Sequence, residues 1–274
     1  MAKQVKREKV GIIGIGYVGG AVLSWFKSKA APKTELFLYD KYKKIGTIQE
    51  VDRDAEIVFI AVPTPYHKGD GYDDSALHDV ISKLHKSKVI VIKSTILPGS
   101  TEKFQKKYPK HTFVFNPEFL VAKTANRDFI KPHRQIIGYT KKSRKLASRI
   151  LKLLPKAPVT RVMPATEAEL VKYFGNSFLA AKVVFANQIY EICKRLHVNY
   201  DTIKEAAASD PRIGVSHLQI FHDGYRGYSG GCFPKDVKSL IDFSRKLGLS
   251  LKLLERVDAI NEALLKGNPK HAKS

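Results

Sequence analysis

Sulfur is scarce in this chain. Two cysteines stand in 274 residues, Cys193 and Cys232, too few for a disulfide framework and without the paired spacing of a zinc site. That scarcity points to a reducing compartment, the cytoplasm, and to no bound metal. Acid is the second shortage: 26 Asp and Glu face 48 Lys and Arg, a formal charge of +22. Such a field attracts polyanions, whether nucleotides, nucleic acid or an acidic surface. Long apolar runs are missing as well. The 17 uncharged residues 10–26 fall short of the about 20 a membrane-spanning helix needs. Glycines at 11, 14, 16, 19 and 20 weaken any helix there, so the run is neither signal peptide nor membrane span. Repeats and low-complexity segments are absent too.

What is present is a globular composition, 43% hydrophobic, sufficient for one large domain or two modest ones. From residue 9, the runs KVGIIGIG, ELFLYD, AEIVFIAV, KVIVIKST, HTFVFNPE and RQIIGYT read as buried strands rich in Val, Ile and Phe. Alternation with amphipathic stretches predicts a parallel, doubly wound Rossmann-like α/β domain over residues 1–162. The most basic run, 141–156, carries Leu146, Ile150, Leu153 and Leu154 at helical spacing. It reads as a surface helix with its stripe on the core and its lysines in water. An all-helical domain follows over 163–274. Its proline-free stretch from Thr166 to His197 predicts one long central helix, opened by a Thr166/Glu169 capping box. Shorter helices are expected at 201–208, 236–248 and 250–266, and the tail at 267–274 reads as frayed.

The first strand runs into Gly14-Ile15-Gly16-Tyr17-Val18-Gly19, and the stretch AVLSWFKS after it is helical. Glycines there permit a tight turn, let the backbone approach a pyrophosphate and allow close helix packing, while the helix N terminus offers amides to phosphate. Asp40, closing the second strand, is placed to accept from an adenosine ribose, which selects NAD over a 2′-phosphorylated coenzyme; Lys41, Lys43 and Lys44 blur that choice. Other strand ends bring Val62, Thr64 and Pro65, then Ser94 and Thr95, then Glu118, Phe119 and Leu120, to the carboxyl edge where ligands bind. On the long helix, Glu169, Lys172 and Asn176 share one face.

The motifs GIGYVG, VPTP, KST, NPEFL, ELVKYFGNSFLA, SDPRIG and GGCFPKD occur in this order between residues 10 and about 265, and together they resemble the UDP-glucose/GDP-mannose dehydrogenase family. The resemblance implies oxidation of a nucleotide sugar's primary alcohol to a carboxylate with NAD used twice, UDP-glucose being the leading substrate. It implies that Cys232 traps the intermediate aldehyde as a thiohemiacetal, which is oxidised to a thioester and hydrolysed. Lys172 and Asn176 are implied to stabilise charge on the substrate oxygen. Asp236 with Thr95 is implied to orient water, and Glu118 to act as general base. Lys235 supplies a nearby cation on the coenzyme side, and Gly231 allows close approach of substrate. Arg212 is a candidate substrate clamp, with Tyr225, Arg226 and Tyr228 on the loop before the cysteine. Cys193, among apolar neighbours, belongs to the core.

The pattern departs from the family twice. A second glutamate expected after NPEFL is replaced within Val121-Ala122-Lys123. Members also continue into another α/β domain that binds the nucleotide diphosphate, whereas this sequence stops at Ser274. The resemblance therefore implies either weakened turnover or a separate chain supplying that domain. It further implies a homodimer through the long helix, and it gives membranes no part. The competing reading is a scaffold that kept the fold and uses its charge to bind nucleotide, nucleic acid or another polyanion; retention of Cys232, Lys172, Asn176 and Asp236 together speaks against it.

Overall fold

A computed structural model describes residues 7–222 and 224–267; the expected fraying at 268–274 lies outside them. The chain divides into two compact units. One takes the residues up to Pro65 together with Asp73–Lys172, the other Tyr66–Tyr72 together with the chain from Tyr173 onward.

In the first unit, β1 (Glu8–Ile13), α1 (Tyr17–Lys27), β2 (Thr34–Tyr39), α2 (Ile48–Asp54) and β3 (Ile57–Ile60) wind in succession. The chain leaves for a small hairpin, β4 (Tyr66–His67) and β5 (Gly71–Tyr72), that belongs to the second unit. It returns as α3 (Ser75–Ser82), β6 (Val89–Ile92), α4 (Ser100–Lys107), β7 (Thr112–Phe115), α5 (Ala125–Ile130), β8 (Arg134–Tyr139), α6 (Ala147–Leu153) and β9 (Val159–Pro164). The sheet order is β2-β1-β3-β6-β7-β8-β9. All four residues of β3 are buried, as a central strand covered on both faces requires, and this is why it reads as an unbroken apolar run. Helix α6 buries Ile150 and Leu153, and Leu154 just past its end is buried too, but Leu146 of the predicted stripe is only half-buried and precedes the helix, which starts at Ala147. Trp25 is 6% exposed and its indole N–H donates to Leu153 O at 2.8 Å, tying α1 to the end of α6.

The sheet differs from a purely parallel expectation at one junction. β8 runs antiparallel to β7, and β9 is parallel to β8. An antiparallel partner starts where its neighbour ends, so residues 116–133 leave and re-enter the sheet at the same edge. That edge carries the glycine turn, and α5 packs there against α1. Edge strand β9 was not legible as a strand: Val159 and Val162 are 44% and 45% exposed, so it lacks the buried run that marks its neighbours.

The second unit is built on α7 (Ala165–Leu196), 32 residues long, which begins in the first unit and continues into the second. It is followed by α8 (Tyr200–Ala208), a hairpin of β10 (Phe221–His222) and β11 (Tyr225–Arg226), α9 (Phe233–Lys246) and α10 (Lys252–Lys266). Among the described residues, this part is therefore helical apart from two small hairpins. Its core joins Ala180, Val183 and Val184 of α7 to Val237 and Ile241 of α9 and Val257 of α10. Cys193 is 2% exposed, as expected.

The capping box expected at Thr166 and Glu169 is not formed. The helix starts one residue earlier, at Ala165, and the Glu169 carboxylate instead accepts from Gly99 N, Thr101 N and Thr101 Oγ1 of α4. A buried helix start with orphan amides is a stronger claim on an acid than its own solvated first turn.

Candidate active site

The glycine turn is built as its sequence demands. Gly14 has φ of +83°, and a Cβ at Gly19 would lie 1.7 Å from Gly14 O, so both positions require glycine. Gly16 is different: a Cβ there meets nothing within 4 Å, because this face opens onto a cavity of about 880 Å³. Exposed Tyr17, Gly20 and Lys43 surround it from one side, and Ala122, Lys123 and Arg127 from the other, while half-buried Val18 does not line it. A bare backbone at a helix N terminus beneath a cation-lined cavity fits a dinucleotide's diphosphate. Ala122 and Lys123 thus stand in the cavity wall where an acid was expected.

Asp40 is 8% exposed and already engaged. Oδ2 accepts from Ile15 N at 2.6 Å, and Oδ1 from Tyr42 N at 3.0 Å and Lys43 N at 2.8 Å. Burial pushes its pKa up, but these amides and the Lys43 charge outweigh it and hold the carboxyl below its usual range. A carboxylate has roughly four lone-pair positions, so one remains for a ribose hydroxyl. Lys43 Nζ turns back to Ile15 O at 2.5 Å, which fixes this lysine over the turn.

The neighbouring strand ends are hydrogen-bonded to one another. Thr64 Oγ1 donates to Thr95 O at 2.8 Å, and Ser94 Oγ donates to Val62 O at 2.6 Å, so the VPTP and KST loops, Pro65 included, form one ledge. Glu118 and Lys172 meet as a buried ion pair: Nζ lies 2.7 Å from Oε1, with side chains 10% and 5% exposed. Lys172 also donates to Glu118 O at 2.9 Å, and Leu120 N donates to Glu118 Oε2 at 2.7 Å. Burial alone would raise the Glu118 pKa; the Lys172 ammonium, these hydrogen bonds and Lys93 outweigh it, and the net direction is down. Phe119 lies beneath the Arg134 guanidinium at 3.8 Å, with Lys172 Nζ 5.8 Å from its ring centroid.

Lys93 was visible only as the first letter of KST, yet it is 2% exposed and donates to Asn116 Oδ1 at 2.7 Å. Burial drives its pKa down to about 7, against the pull of Glu118 and with help from Lys172. A lysine directly after the apolar run VIVI was the available signal, since a charge there must either snorkel out or find a buried partner.

In the second unit, Cys232 is exposed and forms the N-cap of α9. The helix begins at Phe233, three residues before the Asp236 start expected from the pattern, because Pro234 fits the first turn without needing an amide partner. The sulfur is thereby borne by the helix N-cap, where negative charge is favoured. Asp236 is 1% exposed, bracketed by Asn176 Nδ2 at 2.6 Å and Lys235 Nζ at 2.5 Å. Gly230 takes φ of +79°, and a Cβ on Gly230 or Gly231 would meet nothing within 4 Å, leaving this approach to the cysteine open.

The weaker loop candidates are placed differently. Arg212 has an 88% exposed side chain forked onto Asp210 at 2.5 Å. Arg226 pairs with Glu191, donates to Asn187 Oδ1 at 3.0 Å and stacks on Tyr190, all on α7, while Tyr225 is half-buried. Tyr228 is 4% exposed in the helical core, its backbone N–H and carbonyl both paired with the Asn261 amide, so it anchors the loop. Among the described residues there is no cluster of metal-ligating side chains, and no helix long and apolar enough to cross a membrane.

A glycine turn under an open, basic cavity, with an acid ending the next strand, makes the first unit a dinucleotide-binding domain of the dehydrogenase type. The chain belongs to the UDP-glucose/GDP-mannose dehydrogenase family. Residues 39–154 match the family's NAD binding domain and residues 166–263 its central domain. It is 32% identical to the UDP-glucose 6-dehydrogenase of Rhizobium meliloti, over 76% of this chain and 50% of that one. Identity is also 32% to the putative UDP-glucose 6-dehydrogenase YtcA of Bacillus subtilis, over 94% of this chain and 68% of that one. The solved UDP-glucose dehydrogenase of the hyperthermophilic archaeon Pyrobaculum islandicum superposes with a TM-score of 0.83 at 28% identity, covering 96% of this chain and 70% of that one. The chain thus spans about half to two thirds of the length of the curated relatives it matches.

Proposed function

We propose that this chain carries the NAD-dependent oxidation of a nucleotide sugar's primary alcohol to the carboxylic acid, with UDP-glucose as the first substrate to test. The observation that carries the reading is Cys232: an exposed thiol at a helix N-cap beside two open glycines, on the helix whose first turn carries Lys235 and the buried Asp236, the latter bonded to Asn176 of α7. An alcohol dehydrogenase without a nucleophile stops at the aldehyde. A thiolate adds to the aldehyde carbon, the adduct gives up a second hydride to become a thioester, and water releases the acid.

The glycine turn would hold NAD, which would supply the hydride acceptor, a fresh molecule for each of the two hydrides. The remaining work falls to the chain. Lys172 and Asn176 donate to the oxygen on which charge develops, Asp236 and Thr95 orient the water, and Glu118, held ionised beside Lys172, receives its proton. Lys235 and Gly231 border the cysteine, and Phe119 and Leu120 follow Glu118 on its loop. Arg212 remains a candidate clamp that has to leave Asp210 to act.

A homodimer through α7 is part of the proposal. Phe174, Phe178, Phe185 and Ile192 are 75%, 60%, 60% and 54% exposed along this one helix, an apolar stripe unusual for a surface facing water. The two cysteines outside any disulfide agree with a reducing cytoplasm.

The test is NADH formation by the purified protein with UDP-glucose, GDP-mannose and N-acetylated nucleotide sugars. Turnover with one of them supports the reading. Silence with all, alongside salt-sensitive binding of an oligonucleotide, favours the polyanion scaffold.

A further inference from the structure

Glu169 is a buried acid that no step above uses. It is 0% exposed. Oε2 accepts from Gly99 N at 2.5 Å, and Oε1 accepts from Thr101 N at 2.8 Å and Thr101 Oγ1 at 2.5 Å. Both amides belong to the start of α4, where helix geometry leaves N–H groups without an internal partner. A serine or aspartate at the N-cap would satisfy such groups locally. That position is instead Gly99, with φ of +86° and no side chain to cap with. The acceptor comes from α7, 68 to 70 residues further along the chain.

A remote carboxylate is an expensive cap. Burial, aided by the like charge of Glu102 on α4, raises its pKa to about 7, while the three donors pull the other way. What a remote acid does that a local cap does not is join two elements. Helix α7 carries Lys172 one turn further on. The loop 93–99 carries Thr95, and its opposite end is pinned by the bonds from Lys93 to Asn116, Ser94 to Val62 and Thr64 to Thr95.

We propose that Glu169 is a positioning residue, whose carboxylate holds the Lys93–Gly99 loop, and with it Thr95, in register with the Lys172–Glu118 pair. Its kinetic consequence rests on the dehydrogenase reading; its structural consequence does not.

The test is Glu169→Gln, whose single amide oxygen cannot serve three donors, with Thr101→Val as a milder change that keeps both backbone bonds. The readouts are the amide resonances of Thr95, Gly99 and Thr101 across neutral pH, and kcat and KM for NAD and the nucleotide sugar. In the native protein Gly99 and Thr101 amides titrate together near neutrality, and Thr95 moves with them. Glu169→Gln abolishes that titration and lowers kcat by roughly ten-fold or more, with KM within about two-fold. Thr101→Val gives a smaller shift in the same direction. A Glu169→Gln protein that loses only thermal stability, with the Thr95 resonance, the pH profile and kcat unchanged, makes Glu169 a plain cap and overturns the proposal. Where Glu169→Gln does not fold, Thr101→Val decides by the same readouts. If the native protein turns over no nucleotide sugar, the dehydrogenase reading fails, and the resonances alone decide Glu169.

Discussion

Replacing Lys172 by Met strands Glu118 in a buried site. The ammonium lies 2.7 Å from the carboxylate, with 5% and 10% of the two side chains exposed, so water screens little of the pair. With an effective dielectric of 20, the gross attraction at that distance is roughly 6 kcal/mol. Desolvation offsets much of it, and removing one partner of such a pair costs roughly 3–5 kcal/mol because the other charge stays behind. The Glu118 pKa is low because Lys172, the attendant hydrogen bonds and, to a smaller extent, Lys93 outweigh burial. In Lys172→Met, the largest opposing charge is gone and burial pushes the carboxyl pKa upward. Urea unfolding at pH 7 is therefore expected to show a loss of about 3 kcal/mol or more. The loss shrinks at lower pH, where protonation relieves the stranded charge, and Glu118→Gln in the same chain restores all but about 1 kcal/mol. A Lys172→Met loss below about 1 kcal/mol, or a double variant as unstable as the sum of the singles, would refute a desolvated pair at this position.

Gly16→Ala and Gly19→Ala separate ligand space from fold space: the first keeps native stability but weakens NADH binding by roughly ten-fold or more, as fluorescence titration reads. Gly19→Ala destabilises the fold itself, because its Cβ lands 1.7 Å from Gly14 O. Phe174→Lys with Phe178→Lys turns a dimer into a monomer in sedimentation while leaving the unfolding midpoint of the first unit unchanged; a dimer that survives both changes does not use this stripe. Linkage gives Glu169 and Glu118 opposite signs. The Glu169 pKa rises from 4.5 to about 7 on folding, so its contribution is full below pH 4.5 and falls as pH climbs toward 7, and Glu169→Gln flattens that slope. The Glu118 pKa is lowered from 4.5, so its contribution is full above that pH and is lost as pH falls through the lowered value.

The elements that the sequence made legible are those where one physical requirement dominates. Central strands such as Ile57–Ile60 are buried on both faces and read as apolar runs, and the glycine turn reads from positions where no Cβ fits. The 32-residue α7 reads from the absence of proline and its mixed apolar faces. Strand β9 was missed because its exposed, polar edge carries no apolar run, and the antiparallel direction of β8 was missed because strand direction depends on where the preceding connection returns. Glu118, Lys172, Asn176 and Asp236 were named from motifs, yet the Lys172–Glu118 pair in the first unit and the Asn176–Asp236 pair in the second come only with tertiary packing. Glu169 shows the limit most clearly. Its local pattern matched a capping box, and a stronger requirement elsewhere, the uncapped start of α4, took its carboxylate.

The central claim is that one thiol carries the second oxidation. Its most direct measurement is the ratio of NADH formed to nucleotide sugar consumed, for the native protein and for Cys232→Ser. The account predicts two NADH per sugar with acid as the product for the native chain, and for the serine variant no acid, with at most one NADH per sugar as aldehyde. Equal acid production by Cys232→Ser would contradict it.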